Sequence, residues 1–328
     1  MPEATDRATT IREVERWFER QGLPYFVPSN AERVRSALSK SRMIPVAAIA
    51  LLLGAVAGLG TGLGSSDVSD GILVGAITVG IVLTLYGLVS LHLKPIIWWA
   101  SNRTFGSLGW LFPLITRALP LLLLFITFLF INTEVWQVCS ALDRGLLWLT
   151  VLLFAAIAVV FLLVRLPEEV RRVSDEAEGD RLVQLCEQTP VAAAAREVTG
   201  DAALPELTRL QQANLVLVLL FSQALQVLLL SFSVFMFFIV FGKVAITDTV
   251  IESWVGQPPE ALPSLDWLPI SNQLFQVAVF LAAFSGLYFT VYAVTDQTYR
   301  DQFFTSVSKE LERAIGVQTV YRALTRLR

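Results

Sequence analysis

Residues 116–138 read TRALPLLLLFITFLFINTEVWQV, and the number of times this chain crosses a membrane turns on them. A run of about 20 apolar residues rises about 30 Å as an α-helix, which is the thickness of bilayer hydrocarbon. Residues 118–138 have that length and carry no charge before Glu134. With them the chain has six apolar blocks, at 43–64, 71–93, 118–138, 146–166, 214–240 and 274–294. Without them the two termini would lie on opposite sides. Arg117 stands at the mouth of the third block. Starting that helix at 108 would bury the guanidinium about 14 Å deep and place Pro113 and Pro120 in the same helix, and an intramembrane charge costs several kcal/mol. Starting it at Ala118 leaves Arg117 at the headgroups, where its long side chain snorkels. Arg117 is therefore read as an interfacial anchor.

The composition agrees with this reading. Of 328 residues, 55% are hydrophobic and 16% charged, and the mean hydropathy is +0.62, whereas about a quarter of the residues in a soluble domain are charged. The expected fold class is all-α, a polytopic membrane helix bundle with six spans and a helical cytoplasmic layer. The first block follows 42 mostly polar residues and lacks the short apolar core and cleavage site of a signal peptide, so it is expected to stay in the mature chain.

Lys and Arg set the orientation. Eight precede the first block, two lie between blocks two and three, six run from Arg165 to Arg209, and six follow the sixth block, against Arg144 and Lys243 alone in the other loops. Positive residues mark the cytoplasmic side, so both termini are expected there, in a bacterial plasma membrane. The expected organisation has cytoplasmic helices over 1–42 and four spans over 43–166, with an interfacial segment at 95–117. A cytoplasmic helical loop follows over 167–213, then two spans over 214–294 joined by a proline-rich outer loop at 243–273, and a cytoplasmic C-terminal helix over 295–328.

Within the polar parts, Thr10 with Glu13 and Ser29 with Glu32 have the spacing of capping boxes and predict two helix starts. The first helix places Ile11, Val14, Trp17 and Phe18 on one face and stops at Gly22, before the turn-like LPYFVP at 23–28. That face is expected to dock on the protein's own loops, because its polar side mixes Glu with Arg, whereas surface-lying membrane helices are strongly basic there. The interfacial segment holds Trp98, Trp99 and Trp110, suited to headgroup depth; a re-entrant element is the alternative. Breaks are predicted near Pro190, Gly200 and Pro205. After the sixth block the helix is expected to run on as an amphipathic tail. There Tyr292, Asp296 and Arg300 lie at i, i+4, i+8, so that Asp296 can pair with Arg300 at the bilayer edge.

Three polar or small-residue sets remain as candidates. Gly54, Gly58 and Gly62 are spaced four apart in GAVAGLGTGLG (54–64), which suits close helix packing, within the chain or between copies, or else a hinge or filter. Ser222, Gln223 and Gln226 lie deep in the fifth block, the two glutamines sharing a face, either as helix-to-helix glue or as a polar pathway. Tyr292, Asp296, Arg300 and Arg117 form a candidate interface charge cluster. One histidine, His92, and two cysteines, Cys139 and Cys186, cannot build a Cys/His metal site, and the cysteines are expected on opposite sides, unpaired. The sequence has no GxxxxGK[ST], HExxH or GxSxG motif, so no cofactor and no enzymatic activity is expected. No carboxylate lies in the middle of a span, which argues against a carboxylate-driven carrier.

The stretches SGLYFTVYAVTDQTYRDQFF (285–304), RALPLLLLFITFLFINTEVWQV (117–138) and LVLLFSQALQVLLLSFSVFMFFIVFG (217–242) resemble an uncharacterised family of integral membrane proteins from high-GC actinobacteria. The excess of 21 Arg over 4 Lys fits such a source. The family has no assigned activity, so the resemblance implies a membrane fold and carries over no functional residue. Two functions are therefore expected as alternatives. One is an oligomeric passive pore for ions or small solutes, suggested by outer loops with 8 acidic residues (counting Glu134) to 2 basic. The other is a non-transporting scaffold or adaptor that recruits a cytoplasmic protein. The expected partners are membrane lipid, further copies of the chain and that protein, with no nucleic acid.

Overall fold

The computed structural model describes residues 4–65, 67–106, 123–176, 182–198, 207–262, 267, 269–295 and 297–326. The protein is 87% helical without strands among the described residues. Its helices are α1 (Ala4–Arg20), α2 (Pro28–Ala37), α3 (Lys40–Ser65), α4 (Val68–Ser90) and α5 (Leu93–Gly106), α6 (Leu123–Phe130), then α7 (Thr133–Ser140), α8 (Arg144–Glu176), α9 (Leu182–Cys186), α10 (Ala192–Val198), α11 (Arg209–Ala245), α12 (Asp248–Val255), α13 (Asn272–Thr295) and α14 (Gln297–Arg326).

Five of these helices (α3, α4, α8, α11 and α13) are long and apolar enough to cross a membrane, or six if α6 and α7 count as one broken span. They differ in what surrounds them. In α13, 61% of the most apolar window is buried inside the protein, against 11% in α3, α4 and α8 and 17% in α11. Hence α13 is the central post, packed against α11, α8 and α7. Small residues make this possible: Gly286 of α13 lies against Ser231 and Val227 of α11. The outer helices instead present Leu52, Leu59, Leu85 and Val164 to the outside, as lipid-facing helices do.

The helices α3 and α4 form an antiparallel hairpin closed by glycine. Gly54, Gly58 and Gly62 face Gly71 and Gly75, and a Cβ on Gly58 would stand 2.7 Å from the Gly71 carbonyl oxygen. The four-residue glycine spacing is thus occupied within one chain, where it brings two backbones together.

At one end of the bundle, called here the layer end, α1, α9, α10 and the end of α8 pack around α14. All eight residues 314–321 are buried, over two full turns, so α14 is covered on every side. The α1 face predicted from Ile11, Val14, Trp17 and Phe18 docks here, with Val14 and Phe18 fully buried. Phe18 packs edge-on to Tyr321 at 6.1 Å, and the Tyr321 hydroxyl donates to Glu15 at 2.9 Å. The α1 helix ends in a Schellman turn: Leu23 N–H bonds Phe18 O at 2.8 Å, Gly22 N–H bonds Glu19 O at 3.2 Å, and Gly22 takes φ +71°.

Four expectations need correction. The block 118–138 is not one straight helix: α6 and α7 meet at 70°. Asn132 caps α7 by accepting from Glu134 N–H at 2.7 Å, and the Trp136 indole donates to the freed Phe130 carbonyl at 2.6 Å, so the break is hydrogen-bonded on both sides. Neither capping box starts its helix. The α1 helix runs from Ala4 through Thr10, and α2 begins at Pro28 with proline in its first turn and no side-chain cap, a position where the missing N–H costs nothing. The fourth helix does not stop at 166 but continues through Pro167 to Glu176, because Leu162, Leu166 and Val170 form one buried stripe and packing on α14 outweighs one lost backbone bond. Finally, the outer loop at 243–273 is not all loop, since it contains α12.

Leucine at Gly58 is expected to force α3 away from α4 and lower the thermal unfolding midpoint in detergent by several degrees. Leucine at Gly60, which has nothing within 4 Å of its would-be Cβ, is expected to leave it within about one degree; the two variants are compared by scanning fluorimetry.

Candidate functional site: a polar turn on α11

Two buried polar sites lie on α11, and they differ in whether they are hydrogen-bonded. The first is Asn214, fully buried near the layer end. Its Oδ1 accepts from Tyr25 N–H at 2.8 Å and its Nδ2 donates to Gly22 O at 3.0 Å. One amide therefore holds both sides of the turn at 22–25. The helix start beneath it is fixed by a capping box, in which Thr208 Oγ1 accepts from Gln211 N–H and Gln211 Oε1 accepts from Thr208 N–H. The same Oε1 receives Arg322 of α14 at 3.1 Å.

The second site lies nine residues on, about 14 Å deeper at 1.5 Å per residue. Here Ser222 is 1% and Gln223 0% exposed. Ser222 Oγ, both amide atoms of Gln223 and Gln226 Oε1 are buried without a hydrogen-bond partner. The hydroxyls of α13 behave differently, since Ser285 donates to Leu281 O at 2.6 Å and Thr290 to Gly286 O at 2.7 Å. A short hydroxyl can reach the carbonyl four residues back; a glutamine amide needs a partner outside its own turn. Gln223 is also closed to lipid and to any second copy, because none of its surface is exposed.

Of the other candidates, the charge cluster is described only in part. Arg117 and Asp296 lie outside the described residues, and of Arg300 only the backbone is described. Tyr292 is partly exposed and stacks on Tyr288 at 6.1 Å. Tyr288 in turn stacks on Phe125 of α6 at 5.7 Å, so Tyr292 ends a column of three rings. Gly54, Gly58 and Gly62 lie in the α3–α4 contact, away from α11. Of the tryptophans expected at headgroup depth, Trp98 is exposed, Trp99 donates to Gln21 at 3.0 Å, and Trp110 lies outside the described residues.

Several side chains that join distant segments are not marked by the sequence. In the sequence Asn214 reads as the first residue of a span, and its partners lie 189 and 192 positions away. Glu310 joins Arg103 of α5 at 3.5 Å and Arg313 at 3.3 Å, tying the segment after α4 to α14. Tyr25, besides its backbone bond to Asn214, donates its hydroxyl to Leu91 O at 2.6 Å, and burial pushes its pKa up to about 12. Burial raises Tyr321 as well, aided by the hydrogen bond to Glu15, and lifts the Cys186 thiol to about 11. Both cysteines are free and buried, at opposite ends of the bundle. No cluster of three metal-ligating side chains occurs among the described residues.

No protein-family model matches the chain, and neither a curated protein nor a solved structure does.

The two amides make opposite predictions. Asn214→Leu leaves a buried N–H and a buried carbonyl unpaired and is expected to cost about 2–4 kcal/mol, whereas Gln223→Leu removes unpaired polar atoms at similar volume and is expected to stabilise by about 1–2 kcal/mol. Unfolding in mixed micelles measures both, and a destabilising Gln223→Leu would mean that this amide is hydrogen-bonded.

Proposed function

We propose that the chain is a six-span protein of the bacterial plasma membrane, with both termini cytoplasmic, whose bundle anchors a folded cytoplasmic layer that recruits a protein partner. The observation that carries this is the complete burial of residues 314–321 in α14. A C-terminal tail that only trailed from the last span would keep a wet face. A helix covered on all sides by segments from three separate parts of the chain (α1, α9 with α10, and the end of α8) is the core of a small domain.

Chain path supports the sixth crossing. Tyr25 bonds Leu91 at the layer end, and Arg103 still reaches Glu310 there. Phe130 stacks on Phe238 at 4.6 Å and borders Gly242 at the far end of α11. Residues 91–103 thus lie at the layer end and Phe130 at the far end, which supports counting the broken pair α6–α7 as part of a sixth crossing. The layer end is assigned to the cytoplasm because the Lys and Arg residues concentrate there.

The passive pore remains as a second reading, and the unpartnered atoms of Ser222, Gln223 and Gln226 favour it. Against it stand the closed packing of α8, α11 and α13 around Val277, Ala278 and Leu281, all 0% exposed, and the sealing of Gln223. Assembly into a homo-oligomer would have to use surfaces other than the glycine face, which is occupied within the chain.

Liposomes containing the purified protein are expected to show potassium, sodium and glycerol fluxes equal to those of protein-free liposomes. A flux above that background which Gln223→Leu abolishes would transfer the assignment to the pore.

A further inference from the structure

The corner between α2 and α3 carries a charge pattern that neither the layer core nor the α11 site uses. From Arg20 to Asp67 the only acidic residue in between is Glu32, whereas Arg33, Arg35, Lys40 and Arg42 lie within ten positions of one another. All four are exposed. Among the described residues none of the four has an acidic partner, and this sets the corner apart. The α1 helix interleaves Arg12, Arg16 and Arg20 with Glu13, Glu15 and Glu19; Arg103 and Arg313 share Glu310; Arg165 pairs with Glu168 at 3.2 Å.

Position gives the pattern a direction. The last residue of α2 is fixed to the last turns of α4 by the Tyr86 hydroxyl, which donates to Ala37 O at 2.7 Å. Only Leu38 and Ser39 separate α2 from α3. The corner therefore lies at the level where α3 begins its apolar run and α4 ends its own. Leu38 is 44% and Ile44 66% exposed, so apolar surface of both is left open next to the cations in the chain. Apolar surface beside a fourfold positive charge at the start of a span complements a phospholipid with an anionic headgroup. The acyl chain meets Leu38 and Ile44, and the phosphate meets guanidinium and ammonium donors.

We infer that the α2–α3 corner binds anionic phospholipid through the headgroup phosphate, holding the hairpin of α3 and α4 in register with the layer. This inference does not depend on the adaptor reading. It rests on the exposed cations and on the Tyr86–Ala37 bond.

The test uses the full chain in a neutral maltoside detergent, with phosphatidylglycerol, phosphatidylcholine and inorganic phosphate as separate probes in thermal unfolding. Phosphatidylglycerol is expected to raise the midpoint saturably, while phosphatidylcholine and inorganic phosphate leave it unchanged. The variant R33Q/R35Q/K40Q/R42Q is expected to lose most of that rise, and R12Q/R16Q/R20Q to keep it. The pairs R33Q/R35Q and K40Q/R42Q, less demanding of the fold, are each expected to weaken phosphatidylglycerol retention in native mass spectra by about tenfold or more, at about fivefold per cation near a membrane surface. A rise kept in full by the corner variants, or an equal rise with phosphatidylcholine, would overturn the inference. A rise produced by inorganic phosphate alone would also overturn it, assigning the corner to free anions.

Discussion

The side-chain amide of Asn214 is the fastening on which the junction of bundle and layer depends. It is buried, with an oxygen on Tyr25 N–H and a nitrogen on Gly22 O, so the turn at 22–25 meets α11 through both of its polar edges. That turn then reaches outward. Its Tyr25 hydroxyl caps the end of α4 at Leu91, its Gly22 lies against Trp99 of α5, and its Phe26 stacks on Phe18 at 5.1 Å. A buried hydrogen bond contributes about 1 kcal/mol net, but leaving its partners unpaired costs more. The amide is therefore worth more as a specifier of where the layer sits than as a stabilising contact.

The bundle is built on a division of labour among apolar helices that look alike by composition. In hydrocarbon there is no hydrophobic force to separate buried from lipid-facing helices, so packing and small residues decide. The α13 helix, with alanines, a serine and a glycine along its middle, becomes the central post; α3 and α4 spend their small residues on each other and, like α8, turn Leu, Val and Ile outward at the rim. Glycine contact between α3 and α4 and the cationic corner beneath them make that hairpin a peripheral unit. It is joined to the rest through α8, α5 and α2. Within this packed arrangement the unpaired turn of Ser222, Gln223 and Gln226 is the deep part of α11 that hydrophobic packing does not account for.

Span-length apolarity made the long apolar helices legible from sequence, because 20 residues of hydrocarbon-compatible side chains have few other uses in a chain of this composition. The docking face of α1 and the stop at Gly22 were legible for similar local reasons. The break after Phe130 was signalled by Asn132, Thr133 and Glu134, a cap followed by an acidic first turn, but the apolar residues on both sides concealed it. Starts and stops decided by distant contacts were not legible. Thr10 has the spacing of a cap yet sits inside α1, and Pro167 has the chemistry of a stop yet is carried through by Leu166 and Val170. For the α11 site, sequence located the amides of Gln223 and Gln226. It had no means of showing that Asn214 is paired across 192 positions while Gln223 is not.

Hydrogen exchange of the intact protein in nanodiscs, read by mass spectrometry over residues 311–324, tests most directly whether the layer is a folded domain anchored by the bundle. The account predicts backbone amides there that exchange as slowly as those of α13, since residues 314–321 are all buried and α13 is the most buried of the long apolar helices, so that both open mainly by unfolding. Complete exchange of 311–324 within about a minute, with α13 still protected, would show a tail merely resting on the membrane protein and would contradict it.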